Sequence, residues 1–256
     1  MRESRTLIIQ SHNFQVLRGW IGRCVDSVRE WSESSGYEYR FLGDEIFDLI
    51  PNWYRDKVSG RMPIQADLAR LILIRDALAS GFDRAVWFDA DLLVFAPDRL
   101  DLDQVQDTCA FGRELWVGTD PAGRLKTWRS IHNAVCLFQA GDPVLPFLIH
   151  TVERIIDRAD ADRIAPQMVG PKLLTALDNI AGFGRIETVA AFSPLVLRDI
   201  DAGGGDALAS LKSAIGREKM PMPAAANLCA SLSGDRTSDE LLERVVRRLL
   251  KDRALP

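Results

Sequence analysis

The sequence predicts an α/β fold in which helices cover a mostly parallel central sheet, and it predicts a single domain over residues 1–256. Two observations favour this class. Short apolar runs typical of buried strands alternate with longer segments whose apolar residues recur at helical spacing, which is the order of βαβ units. Hydrophobic residues make up 47% and charged residues 27% of the chain, as in an ordinary globular protein with a full core.

Charge and cysteine usage argue against several classes of protein. The 32 basic and 36 acidic residues give a net charge of −4, so no positive field indicates a nucleic-acid partner. The four cysteines are widely spaced and form no C-x-x-C pair, which argues against a zinc or redox motif and favours buried thiols. The apolar run at residues 7–9 is too short for a signal sequence or a membrane span, so we expect a cytoplasmic protein.

The first half, residues 6–100, opens with a βαβ pattern. Strands are predicted at residues 6–10 and 37–42, with an amphipathic helix over residues 17–31 between them. The chain turns polar at Ser11 directly after the first strand, and a loop in that place is a natural contact for a nucleotide. Residues 43–63 indicate a long loop with a short helical piece at 45–50.

The next segment, residues 64–80, is rich in helix formers and apolar on nearly every side, so it predicts a buried helix. Asp67 and Arg70 are three positions apart and therefore share a face of this helix. Burying such a pair is costly. Two interpretations stay open from the spacing: an ion pair that serves the helix alone, or a pair that faces a functional site.

Asp89 and Asp91 follow the apolar run at residues 85–88, which predicts a short buried strand. Open α/β sheets bind ligands at the carboxyl ends of their strands. Two carboxylates one residue apart can share a hard divalent cation, or one can bind the metal while the other binds a ligand hydroxyl. The simpler alternative is an Asp-x-Asp turn that only ends the strand.

The second half, residues 101–235, continues the alternation. Strands are predicted at residues 108–112, 131–138 and 186–192, helices from Asp142 through Ile156 and from Gly170 onward, and loops at 118–123, 202–205 and 220–223. Asn133 stands at the polar start of the second strand, where we expect the edge of the sheet. The free N–H groups at the start of the second helix favour phosphate, and Lys172 adds positive charge there, unless it is simply solvated.

The tail, residues 237–253, predicts an amphipathic helix that begins with a capping box. Its apolar positions share one face, and its arginines and lysine line the other. Packing of the apolar face on the domain is the favoured interpretation. Contact with a membrane surface or a partner protein is the alternative.

Four segments resemble, in order and in approximate spacing, the Asp-x-Asp sugar-transferase family, which includes yeast mannosyltransferases, globotriaosylceramide synthases and the large clostridial glucosylating toxins. They are Asp67-Leu68-Ala69-Arg70, Phe88-Asp89-Ala90-Asp91, His132-Asn133-Ala134 and Gly170-Pro171-Lys172-Leu173-Leu174-Thr175. The resemblance covers residues 6–180. It implies the α/β/α sandwich called GT-A, with residues 6–100 binding the nucleotide sugar and residues 101–235 forming the acceptor side.

The resemblance also implies roles for single residues. Asp91 resembles the ligand of a Mn²⁺ or Mg²⁺ ion, and Asp89 resembles the residue that contacts ribose, donor sugar and metal-bound water. Asp67 and Arg70 resemble the pair that grips the donor sugar, whose nucleotide is expected to be UDP or GDP. Asn133 looks like an acceptor-side element. Ser11, in the loop after the first strand, and Lys172, at the start of a helix, complete with it the residues expected around the donor.

Two departures from the family pattern stand out. The interval from Asp67 to Asp89 is longer than usual, and the C-terminal His-x-Trp segment that often completes the metal site is not found. The nearest match is residues 227–231, where Asn227 occupies the position of the histidine. An amide oxygen can bind Mn²⁺ or Mg²⁺, so Asn227 is the predicted third metal ligand.

The sequence therefore favours a metal-dependent glycosyltransferase that moves a sugar from a nucleoside-diphosphate sugar to an acceptor hydroxyl, with retention implied by the resemblance. The acceptor, which is a glycan, a lipid-linked sugar or a small molecule, stays open. One alternative is a haloacid-dehalogenase-type phosphatase with Asp89 as nucleophile and Asp91 as acid or base. The other is a binding module without catalytic activity, which the missing histidine suggests.

Overall fold

The centre of the molecule is a six-stranded mixed sheet with the strand order β2-β1-β3-β6-β5-β7. The computed structural model describes residues 4–229 and 237–256, so Ala230 and Ser231, the end of the predicted C-terminal match, lie outside it. The β1 strand pairs in parallel with β2 and β3, and β5 pairs in parallel with β7. The β6 strand is antiparallel to both β3 and β5. Parallel pairs outnumber antiparallel ones in this sheet, which confirms the predicted class.

The elements alternate as expected along most of the chain. The strands are β1 (Thr6–Ser11), β2 (Glu38–Leu42), β3 (Arg84–Phe88), β4 (Leu92–Val94), β5 (Cys109–Thr119), β6 (Leu125–Gln139), β7 (Gly184–Ile186), β8 (Val189–Ala191) and β9 (Ala225–Asn227). The helices are α1 (Gly19–Ser34), α2 (Asn52–Lys57), α3 (Met62–Ala79), α4 (Val144–Arg158), α5 (Pro171–Ala181), α6 (Pro194–Ala202), α7 (Asp206–Glu218) and α8 (Asp239–Asp252). The sequence did not predict α6 and α7, which flank the glycines of the expected loop at 202–205.

Helices cover both faces of the sheet. Alternation along β1 sends Ile8 into one apolar cluster, with α1, α6, α7 and α8, and sends Leu7 and Ile9 into the other, with α3 and α4. The same alternation along β3 places Phe88 in the first cluster and Trp87 in the second. Both clusters contain residues from both predicted halves, and the division at residue 100 stays a prediction.

A second, three-stranded sheet with the order β4-β9-β8 lies beside the main one. The sequence did not predict β4 or β9, and the predicted strand at 186–192 was wrong as a single element. It divides into β7 in the main sheet and β8 in the small one. Between them, the carbonyl of Thr188 accepts hydrogen bonds from the N–H groups of Ala224 and Ala225. The chain therefore changes sheets at this point to meet β9.

The strands β5 and β6 form a hairpin much longer than predicted. The expected loop at 118–123 is wrong at its start, since β5 extends to Thr119 and the turn follows it. In the outer part of β5, the buried residues Leu115 and Val117 alternate with half-buried residues on the opposite face. This alternation is too short and too polar to predict a strand from the sequence. Asn133 was predicted at the start of its strand, which is wrong, because β6 begins at Leu125; Asn133 is buried inside β6, beyond the residues that pair with β3.

The C-terminal helix α8 packs on the domain, which confirms the favoured interpretation. Ser238 caps it by accepting a hydrogen bond from the N–H of Leu241. The apolar face is fully buried against α1 and α6 through Leu242, Val245, Val246 and Leu249. Arg244 on the opposite face pairs with Asp201. No helix in the described part of the chain is both long and apolar enough to cross a membrane.

The bulge in β5 provides a test of the fold. The register between β5 and β6 shifts at Gly112, and a Cβ on Gly112 would lie 2.2 Å from two ring atoms of the buried His132. We expect Gly112→Ala to lower the free energy of unfolding by about 1–3 kcal/mol in urea denaturation, because a packed ring has to move.

Gly216→Ala is the matched control. An added Cβ there meets no atom within 4 Å in the helix α7, so this variant should be neutral or more stable by about 0.5–1 kcal/mol. Combining Gly112→Ala with His132→Ala should make the glycine substitution less costly than it is alone. Equal losses for the two glycine variants would contradict the close contact between Gly112 and His132.

Candidate active site

Two clefts meet at Asp89, at the carboxyl end of β3. One, here called the β1-side cleft, has a volume of about 330 Å³ and is lined among others by Ser11, Arg70 and Asp91. The other, the β6-side cleft, has a volume of about 410 Å³ and is lined among others by Asn133. They lie where β3 leaves its antiparallel neighbour β6. The structure therefore brings most of the predicted site residues to one edge of the sheet.

Asp89 is held in place through its backbone and its side chain. Its N–H donates to the carbonyl of Ala134 (2.8 Å), and its carbonyl accepts from Gln10 Nε2 (3.1 Å). Trp87 Nε1 donates to its Oδ1 (2.6 Å). The buried Gln10 is itself fixed, because Tyr39 donates its hydroxyl proton to Gln10 Oε1 (2.9 Å). These contacts orient the carboxylate without help from a ligand, and sequence reasoning assigned no role to Gln10 or Trp87.

Arg70 lies between Asp67 and Asp89. Its Nη2 is 3.4 Å from Asp67 Oδ1, and its Nη1 is 3.1 Å from Asp89 Oδ1. Nη1 also donates to the carbonyl of Asn133 (2.6 Å), and the guanidinium lies 5.2 Å from the centre of a Trp87 ring. Burial lowers the pKa of Arg70, but the carboxylates of Asp89 and Asp67 outweigh it, and the pKa is raised overall. A fixed positive charge therefore stands at the wall of the β1-side cleft.

Asp67 lies behind this charge. Its Oδ1 accepts a hydrogen bond from Asn133 Nδ2 (2.7 Å), and a Cβ on Gly170 would lie 2.6 Å from its Oδ2. The glycine at the start of α5 thus allows that helix to approach the carboxylate. Burial raises the pKa of Asp67 to about 6, although Arg70 and Asn133 act in the opposite direction. Asp67 is not among the residues that line either cleft, so in this geometry it positions Arg70 and Asn133.

Asp91 is joined to Asn227 across the small sheet, where Leu92 pairs with Asn227. Asn227 Nδ2 donates to Asp91 Oδ1 (2.6 Å), and Asn227 Oδ1 accepts from the N–H of Cys229 (2.7 Å). A backbone N–H requires an acceptor, so the second bond fixes the orientation of the amide. The structure places Asn227 beside Asp91, with its N–H group towards the acid. Its role as an oxygen ligand stays a prediction.

Asp89 and Asp91 have the donor chemistry of a site for Mg²⁺ or Mn²⁺. Within residues 4–229 and 237–256, no group of three or more His, Cys, Asp or Glu side chains is arranged to hold a metal ion. Mg²⁺ is commonly bound in proteins by one or two carboxylates together with substrate phosphates and water. The two acids fit a cation of that kind.

No protein-family model matches this sequence, and no curated protein matches it. Among solved structures, it is similar to a glycosyltransferase involved in the glycosylation of the major capsid of PBCV-1. That similarity has a TM-score of 0.50 and 12% identity, and it covers 94% of this chain and 98% of that one. The fold is the GT-A fold.

Two further structures align with it. The galactosyltransferase LgtC in complex with donor and acceptor sugar analogues gives a TM-score of 0.46 at 13% identity, over 94% of this chain and 95% of that one. The glycosyltransferase GlyE of Streptococcus pneumoniae TIGR4 gives 0.46 at 13% identity, over 98% of this chain and 63% of that one. At these identities the comparison concerns the fold alone.

Ser11 and Lys172 occupy different parts of this GT-A fold. Ser11 lines the β1-side cleft, and its hydroxyl donates to the carbonyl of Gly43 (3.1 Å). Lys172 lines a third, outer groove of about 420 Å³, which shares Glu114, Gln167 and Pro171 with the β6-side cleft. The structure does not bring Lys172 to the cleft that contains the two acids.

Sequence reasoning missed Glu114 and Trp116 on β5, which both line the β6-side cleft, and gave His132 no role there. Burial raises the pKa of Glu114, whose carboxylate accepts a hydrogen bond from Ser130, and this bond acts in the opposite direction. Burial lowers the pKa of His132 to about 4, so its ring is neutral near pH 7. The alternation along β5 is the one sequence signal that could have marked Glu114 and Trp116 as a shared face.

The buried Asp67 predicts a specific pH dependence. Because its pKa is about 6 in the folded chain and 3.8 in the reference state, the stability that it contributes when protonated is lost as the pH rises through about 6. We expect Asp67→Asn to raise the free energy of unfolding at pH 7, by up to about 3 kcal/mol, and this gain should shrink towards pH 4. Urea denaturation between pH 4 and pH 7 measures both values.

Two variants accompany this experiment. Asp76→Asn changes an exposed carboxylate on the same helix and should alter stability little at any pH. Asp67→Ala should be less stable than Asp67→Asn, because it leaves the buried amide of Asn133 without its acceptor. A loss of stability in Asp67→Asn that is equal at pH 4 and pH 7 would show that burial of this charge is not costly.

Proposed function

We propose that this chain is a glycosyltransferase that moves a hexose from UDP-sugar or GDP-sugar to a hydroxyl of a glycan, a lipid-linked sugar or a small molecule. We also propose that it requires Mn²⁺ or Mg²⁺ and retains the anomeric configuration. The observation that carries this proposal is the placement of Asp89. It follows β3 in a GT-A fold, its carboxylate is oriented by Trp87 and Arg70, and it lines both clefts.

The β1-side cleft is the proposed donor site. Its lining combines apolar side chains with Ser11, Arg70 and the two acids, which is the mixture expected for a small-molecule ligand with a polar end. Arg70 supplies a fixed cation for the negative donor. Asp67 holds that cation in place, and through Asn133 it also reaches the β6-side cleft, where the acceptor is proposed to bind.

Asp89 and Asp91 are the proposed metal ligands, and Asn227 is the proposed third, for which its amide has to turn so that Oδ1 replaces Nδ2 beside Asp91. A divalent cation bound there would stabilise, as a Lewis acid, the negative charge that develops on the departing nucleoside diphosphate. The contacts of Asp89 and Asp91 keep both carboxylates at the same rim, so little reorganisation is needed when charge develops. We nominate no nucleophile of the protein. In the retaining route, the departing diphosphate oxygen accepts the proton of the acceptor hydroxyl.

No observation favours the two alternatives. In a phosphatase of the haloacid-dehalogenase type, Asp89 would act as the attacking carboxylate. Here its Oδ1 accepts a hydrogen bond from Trp87 and pairs with Arg70, contacts that lower the nucleophilicity of that oxygen. The position of Asn227 beside Asp91 likewise gives no reason to prefer a module that binds nucleotide sugars without catalysis.

Donor hydrolysis provides the direct test. We expect the protein to hydrolyse at least one UDP-sugar or GDP-sugar with Mn²⁺ present, and Asp91→Asn to reduce this rate at least about 100-fold because a charged ligand of the metal is lost. Calorimetry with UDP and GDP, in Mn²⁺ and in EDTA, measures binding separately. Asp76→Asn, which removes an exposed carboxylate of α3, is the control.

Each part of the proposal has an outcome that would overturn it. Equal affinity for UDP or GDP in Mn²⁺ and in EDTA would show that nucleotide binding does not require a metal ion. Hydrolysis of p-nitrophenyl phosphate, with no hydrolysis of any nucleotide sugar, would support the phosphatase alternative. Donor binding without any turnover would support the non-catalytic module.

Asn227 allows a separate test of the metal site. An imidazole binds Mn²⁺ more strongly than an amide does, so Asn227→His should tighten Mn²⁺ relative to Mg²⁺ if residue 227 reaches the ion. Titration of free Mn²⁺ by electron paramagnetic resonance, with UDP present, measures this affinity for the wild type, Asn227→His and Asn227→Ala. Three superimposable titrations would show that Asn227 does not bind the ion and acts there through its contact with Asp91.

A further inference from the structure

One face of the β5–β6 hairpin has no part in the donor site described above. Glu114 is directly opposite Ser130, and Trp116 is directly opposite Trp128, so these four side chains share one face. Alternate residues of β5 point the other way into the core. The shared face is only half-buried, and Trp128 is 38% exposed.

Three side chains of this face, Glu114, Trp116 and Ser130, form one wall of a path that leads away from Asp89. The β6-side cleft begins at Asp89 and is lined by Trp116, Glu114 and Gln167. The outer groove shares Glu114 and Gln167 with that cleft and continues to Asn179. The cleft of about 410 Å³ and the groove of about 420 Å³ therefore adjoin at Glu114 and Gln167.

The chemistry of the lining is specific. One indole, on Trp116, stands among the hydrogen-bonding side chains of Glu114, Asn133, Gln167 and Asn227. A pyranose ring has an apolar face of C–H groups, which an indole covers, and hydroxyls at its rim, which carboxylates and amides bind. An acyl chain in the same place would exclude water from these groups and offer no hydrogen bond in return, at a cost for each donor or acceptor left unpaired.

The charges of the lining distinguish between kinds of sugar. Glu114 and Asp89 both border the β6-side cleft, where a phosphate or a carboxylate on the ligand would meet them, whereas Lys172 borders only the outer groove. Ser130 donates a hydrogen bond to the Glu114 carboxylate and so fixes its direction. Burial raises the pKa of Glu114, which is consistent with a carboxyl group that pairs with neutral hydroxyls.

We propose that the path from Trp116 past Glu114 to Asn179 binds a neutral oligosaccharide acceptor of at least two sugar units. One unit lies against Trp116, with its reacting hydroxyl towards Asp89, and the next lies between Glu114 and Asn179. Trp116 and Glu114 then determine acceptor specificity. The role of acceptor rests on the proposed transferase function, whereas binding of the oligosaccharide does not require turnover.

Binding can therefore be measured in the absence of a donor. The probe is an array of immobilised neutral oligosaccharides of two or more units, printed together with their monosaccharides and with phosphorylated and sialylated glycans, and incubated with the labelled full chain. We expect the wild type to bind one set of neutral oligosaccharides more strongly than the matching monosaccharides and anionic glycans. Trp116→Ala should weaken this binding at least about tenfold, which corresponds to about 1.4 kcal/mol of stacking.

Three further variants make the test specific to this surface. Trp116→Phe retains an aromatic face and should retain most of the binding, even if Trp116→Ala fails to fold. Trp53→Ala removes a tryptophan on α2 that is 43% exposed and lines neither the clefts nor the outer groove, so it should bind the array like the wild type. Glu114→Gln keeps the shape of the side chain and should change which oligosaccharides are preferred.

The outcomes separate this inference from the proposed function. Absence of binding to every neutral oligosaccharide would overturn the inference, as would equal binding by the wild type and both Trp116 variants, or a preference for anionic glycans. Donor hydrolysis by the wild type is measured independently and would still support a transferase in each case. Binding that depends on Trp116, without hydrolysis of any nucleotide sugar, would support the oligosaccharide site and contradict the proposed transferase function.

Discussion

The buried contact of Arg70 with Asp67 and Asp89 is the interaction on which the rest of the site depends. It connects α3, which carries Asp67 and Arg70, to the end of β3, and through Asn133 it also connects both to β6. Because Arg70 pairs with two carboxylates, it keeps a charged partner in Asp89 even when Asp67 is neutral. These three elements are therefore fixed relative to one another at the point where the two clefts meet.

The clefts themselves follow from the topology of the sheet. On one side of β3 the neighbouring strand β1 is parallel, and on the other side β6 is antiparallel. The chain leaves β3 at Asp89 and enters the small sheet at β4, so the main sheet ends there and leaves space on both sides. Gln10 and Trp87 hold Asp89 within that space, so the carboxylate has a defined direction in a site that is otherwise open.

The small sheet provides the other half of the site. Its strands have three residues each, yet β9 places Asn227 beside Asp91 although the two are 136 positions apart. The hairpin β5–β6 similarly places Glu114 and Trp116 beside residues of β6 that follow in the chain only after the turn. Both arrangements bring polar side chains to a region that the parallel part of the sheet does not reach.

The sequence by itself determined the α/β class, the strand that ends directly before Asp89, the shared face of Asp67 and Arg70, and the amphipathic helix α8. Each of these depends on a local period or spacing, which a single segment of chain contains in full. Only the tertiary structure decided that Arg70 joins Asp67 to Asp89, and that Lys172 lies in an outer groove. It also decided the division of residues 186–192 between two sheets. Strands of three residues are too short to show a period, and their partners are chosen by packing between distant segments, so no local pattern could have specified them.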